Sequence, residues 1–163
     1  MALTADRNVD RYVDQELRTY RVKGTTTVYK GALVGLAAGY ARGLVAGDKC
    51  VGLAYETIDN SVGDDGDKSV RVYTLGDFDH AVSGAAQTDV GRPVFASADG
   101  TLTFTAESNS YVGIVQDFLA SGQVIVRIDP QRRLVKTITH AVENLAANAD
   151  IAARAIHCFE HEG

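Results

Sequence analysis

The sequence predicts a mainly β protein: a small barrel or sandwich of short antiparallel strands, built from two related hairpin units. Three observations predict it. The chain holds 16 glycines and only 2 prolines among many valines and threonines, a mixture suited to short strands joined by glycine turns. Apolar and polar residues alternate over most of residues 17–129, the period of a half-buried strand. A faint pattern also occurs twice. "GALVGLAAGYARGLVAGDKCVGLAYE" (residues 31–56) and "GRPVFASADGTLTFTAESNSYVGIVQDF" (residues 91–118) both open on Gly and place a Val three residues on. Each then turns at a glycine and reaches Val-Gly-Leu or Val-Gly-Ile.

Taken in order, residues 1–16 are polar, charged and without periodicity, and read as an N-terminal arm that is mobile or lies on something else. The core is predicted over residues 17–130. "RTYRVKGTTTVYKGALVGL" alternates, with Tyr20, Val22, Val28 and Val34 as inward candidates and Gly24 and Gly31 as punctuation. Val34 and Val94 lie 60 positions apart and Gly52 and Gly113 lie 61 apart, so one residue is gained in the hairpin between them. Hairpins absorb such changes at low cost. In the second copy Asp99-Gly100 marks the hairpin turn, and in the first the turn falls around Gly39. Return strands are expected at "SVRVYTLG" and "VIVRID", and a short strand at residues 78–82 in the connector. Four strand signals per copy at short spacing favour an all-β architecture over a parallel α/β one.

Beyond Asp129-Pro130 the texture changes. A C-terminal extension, residues 131–163, begins with an alternating strand, "RLVKTITHAVENL". Its last stretch is a short helix behind an Asn148 cap, with Ile151, Ala155, Ile156 and Phe159 on one face, or a second strand.

Composition narrows the function classes. At 163 residues the chain is one domain's worth. Its 45% apolar and 23% charged residues, with a net charge of -5, are those of an ordinary globular protein. That acidity argues against nucleic acid as a partner, which would need Lys and Arg to neutralise phosphates. The densest basic run, "QRRLVK" at residues 131–136, reads as a solvated strand edge. The longest apolar run, near "GALVGLAAGY", is too short to span a bilayer, so no membrane partner is expected. The opening "MALTADRNVDRYVDQEL" is not a signal peptide. Cys50 and Cys158 stand far apart without metal or redox spacing and read as free thiols in a reducing cytosol.

Candidate chemistry is sparse. His157 and His161 are four apart, as zinc ligands on a helix would be, yet they sit at the chain end, and no metal is expected there. His80 and His140 are lone histidines in strand-like runs. "DNSVGDDGDK" supplies Asp59, Asp64, Asp65 and Asp67, but not the alternating oxygen spacing of a calcium loop, and reads as a solvated turn. Neither a Gly-x-Ser-x-Gly elbow nor a phosphate loop is present, and "GYARGLVAG" lacks the glycine fingerprint. The expectation is a non-enzyme with no cofactor, no metal and no catalytic residues.

The segments "MALTADRN", "VYKGALVGLAAGYA", "VGLAYETIDNSVGDDGDKSVRVYTLGDF", "DVGRPVFASADGTLT" and "YVGIVQDF…GQVIVRI" resemble, in that order, the capsid decoration or cement proteins of tailed phages. More narrowly, they resemble a group of formerly unknown function in tailed phages and Mu-like prophages. The resemblance covers about residues 1–129; family members usually end near "VRI", and the tail after Pro130 departs from that pattern. The resemblance implies a β-barrel-like protein made in the bacterial host cytoplasm. It would sit on the outer surface of an icosahedral head built from a major capsid protein of the HK97 type, locking neighbouring capsomers together. It transfers no catalytic residue. The expected assembly is a homo-oligomer, a trimer at three-fold positions or a dimer at two-fold ones, with the trimer preferred. Contact with the shell is expected from the arm (Arg7, Arg11, Tyr12, Leu17, Tyr20) and from loop tips around Asp64 and Asp99. The rival readings are another virion β-module, from a head fibre or tail, that binds a ligand or glycan, and an enzyme on a β-barrel core.

Overall fold

Alternation and glycine punctuation become strands where the sequence pattern marks them. A computed structural model describes residues 3–9, 17–120 and 122–130. In chain order these form β1 (Leu17–Arg21), β2 (Thr26–Val28), β3 (Leu33–Ala37), β4 (Tyr40–Gly43), β5 (Lys49–Ala54) and β6 (Ile58–Asn60). There follow β7 (Ser69–Tyr73), β8 (Gly76–Ala81), a 3-10 turn at Gln87–Asp89, β9 (Pro93–Ala98), β10 (Thr101–Thr103), β11 (Ser110–Ala120) and β12 (Gln123–Ile128). The strand, helix and second strand expected over residues 131–163 lie outside the described residues.

The strands pair as two five-stranded antiparallel sheets, β1-β7-β5-β3-β4 and β8-β12-β11-β9-β10, with a separate β2–β6 ribbon. The two orders are the same once β1 is matched to β8, β3 to β9, β4 to β10, β5 to β11 and β7 to β12. The match holds at the level of register. Leu17 faces Tyr73 in the first sheet, and Asp77 faces Arg127 in the second. Val34 opposes Gly52, and Val94 opposes Gly113. Loop hydrogen bonds repeat as well. Gly31 N–H donates to Ala54 O at 2.9 Å and Gly91 N–H to Val115 O at 2.8 Å, while Val22 N–H donates to Lys68 O and Val82 N–H to Gly122 O, both at 2.8 Å. The chain is therefore an internal duplication at the level of backbone pairing.

Where the copies differ, the register shows why. The extra residue of the second copy sits at the β9–β10 hairpin, in the shift between Thr101 and Leu102. In the first copy the hairpin turn has positive φ at Ala38 (51°) and Gly39 (88°), the left-handed pair that a type I′ turn requires. The offset between copies is 61 along β5/β11 but 54 along β7/β12, so the first copy holds seven more residues in between. This longer connection carries β6 and the acidic loop.

Each copy bulges at the same place. The ladder steps past Val51 in β5 and past Val112 in β11, just ahead of Gly52 and Gly113. A bulge leaves one residue extra and bends its strand. The following glycine is required by close approach. A Cβ on Gly52 would fall on the Tyr73 carbonyl oxygen, and one on Gly113 would fall on the Arg127 carbonyl oxygen. These carbonyls occupy equivalent places in the two return strands.

Of the two architectures expected, barrel or sandwich, the strands form the sandwich-like one. Among the described residues the edges of each sheet meet through one isolated parallel bridge, Val22 with Ala41 and Val82 with Leu102, while an isolated antiparallel bridge, Val45 with Ala98, joins the two copies. The edge strands β4 and β10 are short, four and three residues, and each ladders with only one neighbour, β3 and β9. The fold is an open, sandwich-like packing of antiparallel sheets.

Two cores result. Val22, Val28, Val34, Ala41, Val51, Ala54, Val70 and Val72 fill the first copy. The second core gathers Phe78, Val82, Val94, Val112, Val115, Val124, Val126 and Ile128, and takes Leu33, Leu44, Cys50 and Leu53 from the first copy. Strand β5 serves both, sending Val51 and Ala54 to one core and Cys50 and Leu53 to the other. A strand buried on both faces contributes to both cores, about 1.5–3 kcal/mol for each fully buried Val or Leu.

Candidate functional site

The arm supplies the most organised polar region of the molecule. Residues 3–9 are laid over the chain's own body. Leu3 N–H donates to Asp99 Oδ1 at 2.9 Å, and Arg7 N–H donates to Lys30 O at 3.1 Å. The Thr57 hydroxyl donates to Asp6 Oδ1. Val9 packs against the second core. The arm can lie this close because Gly31 has no side chain: a Cβ there would stand 2.5 Å from the Arg7 carbonyl oxygen. The expectation of a mobile or outward-lying arm is corrected for this segment. Its backbone N–H groups find carbonyl and carboxylate acceptors on the same chain, which anchors it.

Arg7 turns inward. Its Nη2 donates to His80 Nδ1 at 2.5 Å. His80 is buried at 3% exposure, and burial, reinforced by the adjacent guanidinium, drives its pKa down to about 3. The imidazole is thus neutral and accepts through Nδ1, which puts its proton on Nε2, an atom with no hydrogen-bond partner in the structure. Burial also lowers the Arg7 pKa, with the Asp79 charge acting in the opposite direction.

Beside this pair lies a cleft of about 410 Å³ lined by Arg7, Asp6, Lys30, Tyr55, Glu56 and Thr57, among others. Its aromatic wall is braced: Tyr55 meets Tyr73 edge-on at 5.4 Å, and the Arg71 guanidinium lies 4.4 Å above Tyr55. Arg71 also grips Glu56 through two parallel bonds of 2.8 and 2.7 Å, which hold the Glu56 pKa low.

The acidic loop forms a second polar cluster. Asn60 is buried and donates from Nδ2 to Lys23 O at 3.1 Å and Asp64 O at 2.9 Å. Gly24 N–H donates to Asp65 Oδ1 at 2.6 Å and Asp64 N–H to Asp67 Oδ2 at 2.8 Å. These carboxylates are spent on closing the loop. Among the described residues no group of three or more His, Cys, Asp or Glu side chains is arranged to hold a metal ion.

The residues expected to contact a partner are dispersed. Leu17 is 40% exposed at the start of β1, and Asp64 is exposed on the acidic loop. Tyr20 is half-buried against the first core. Arg7 is half-buried and faces His80 instead of solvent. Asp99 is not a solvated loop tip: it is 9% exposed, packs beside Gly43 and receives the Leu3 N–H. Burial raises its pKa, and the Leu3 bond opposes that rise. Arg11 and Tyr12 lie outside the described residues. Sequence reading missed Asp6, Lys30 and Thr57, which share no motif: Lys30 N–H donates to the Thr57 hydroxyl at 3.0 Å, and Asp6 joins them because the arm crosses Gly31.

The fold and its polar clusters define a duplicated antiparallel β-module with its N-terminal segment strapped across it. No protein-family model matches the chain, and no curated protein does. Among solved structures it is similar to the crystal structure of the pre-mature bacteriophage phi29 gene product 12, at 14% identity and a TM-score of 0.46. That likeness covers 76% of this chain and 22% of the other.

Proposed function

We propose that this chain is a structural virion protein, a decoration or cement protein that binds the outer surface of a phage head. Its partner in this reading is a major capsid protein of the HK97 type, and it acts as a homo-oligomer, a trimer in the preferred form, without catalysis. The resemblance of residues 1–129 to that family supports the reading. The structural observation that carries it is the duplication, matched from β1/β8 to β7/β12 and joined through a strand, β5, shared by two cores. Such a body holds its shape under load. A stiff binder loses little conformational entropy on docking, so more of each contact reaches the shell. Linked contacts at high effective concentration then strengthen the lattice beyond any single one. Leu17 and Asp64, both exposed, remain the contact residues of this reading.

The test is to mix the purified chain with expanded and unexpanded shells of an HK97-type capsid and count bound copies per capsomer. Saturable binding at a fixed ratio per capsomer, stronger on expanded shells, is expected. Absence of binding to either shell overturns the reading.

A further inference from the structure

The geometry points to the cleft under the arm, with Arg7 on its wall and Lys30 on its exposed rim, as a carboxylate-binding site that receives an acidic side chain of a partner polypeptide. The choice of partner rests on the contact role proposed above; the chemistry of the cleft does not.

Arg7 is the anchor. A guanidinium has five N–H donors in a planar fork. Among the described residues, the Arg7 side chain donates to one atom, the Nδ1 of a neutral histidine. The half-buried cation therefore has an imidazole where buried arginines ordinarily have a carboxylate. Asp79 influences it through space, and less than burial does. An anion entering the cleft meets donors that are already desolvated and held in place by the His80 bond and the Lys30 carbonyl. The apolar and aromatic wall of Leu53, Tyr55, Tyr73 and Phe78 reduces screening there, which strengthens a charge-assisted bond.

The lining of the cleft selects the kind of anion. Of the two acids lining the cleft, Glu56 is neutralised by its paired bonds to Arg71. Asp6 accepts from the Thr57 hydroxyl, which fixes its carboxylate at the rim. Arg7 and Lys30 are the cations lining the cleft, and Asp79 acts on Arg7 through space. A planar carboxylate fits the guanidinium fork. A phosphate dianion would bring its second charge against Asp6. The volume of the cleft, about 410 Å³, suits a side chain and not a folded surface.

The test uses the isotopically labelled full chain, titrated with N-acetyl-glutamate methylamide, with the glutamine analogue and inorganic phosphate as comparators. The readout is the NMR signals of the Arg7 Nε–H and of the Gly31 and Lys30 amides. The expected result is a saturable shift with the glutamate compound alone. Arg7→Gln should weaken the response about tenfold or more, a loss of at least about 1.4 kcal/mol. Lys30→Gln should weaken it several-fold; this exposed site keeps the test independent of arm packing. No saturable shift in the unaltered chain, an equal response to phosphate, or full binding by both variants each overturns the proposal. A second arm adds the saturating glutamate compound to shell-binding reactions. Loss of occupancy supports a polypeptide carboxylate. Undiminished occupancy overturns that source, and failure of the unaltered chain to bind any shell counts against the cement reading instead.

Discussion

Replacing Gly113 with Ala tests the duplication at its tightest point. The added methyl would fall on the Arg127 carbonyl oxygen, with the Ile128 Cα 3.2 Å away, so backbone and not a flexible side chain must yield. Overpacking of this kind costs about 1–3 kcal/mol. Moving β12 off β11 also weakens one or two ladder hydrogen bonds, each worth about 0.5–1.5 kcal/mol. The combined loss is about 1.5–6 kcal/mol. Gly39→Ala is the control: its φ is 88°, yet nothing lies within 4 Å, so only the left-handed backbone penalty of about 1–2 kcal/mol applies. Urea denaturation followed by circular dichroism reads both, and Gly52→Ala should cost more than Gly113→Ala, because the same carbonyl contact recurs at Tyr73 and its φ of 137° adds backbone strain. For a domain of this size about 3 kcal/mol lowers Tm by roughly 6–12 °C. A Gly113→Ala loss no larger than that of Gly39→Ala would refute the argument, because it would mean the return strand shifts freely.

Two further outcomes follow from burial. Asp99 has a raised folded pKa, so the native state binds more protons than the unfolded chain between the ordinary value of 3.8 and the raised one. Stability should therefore fall as pH rises through that window, and Asp99→Asn should flatten this part of the profile in denaturation midpoints measured across it. Cys50 is buried, and desolvation pushes its thiol up to about 12. In a Cys158→Ser background it should resist iodoacetamide at pH 8 until denaturant is added, because the thiolate is the reacting form; labelling of the native protein at the rate of a free thiol would contradict its placement.

Much of the fold was legible because strands announce their period and their turns. The matched Val34/Val94 and Gly52/Gly113 pairs located the duplication, and the structure places both pairs at the same bulge. The one-residue gain fell in the hairpin, where it was expected. The candidate site was far less legible. Asp99 and Arg7 looked like solvent groups because polar residues in a turn and in an unpatterned arm ordinarily are. Their burial depends on a contact between Leu3 and Asp99, 96 positions apart, that leaves no trace in local pattern. His80 read only as a lone histidine in a strand, and nothing near it in sequence points to Arg7.

By itself, then, the sequence determined the strand content, the duplicated order and the residues that must be inside, since alternation and glycine placement are properties of neighbours along the chain. The tertiary structure decided which inside each residue joined. Cys50, Val51, Leu53 and Ala54 are all apolar, yet the bulge deals them between two cores. It also decided that the sheets stay open, because closure depends on edges far apart in sequence meeting, and that residues 3–9 fold back on the body of the chain. Periodicity tells which face of a strand avoids water; only packing across long sequence distances tells what covers that face.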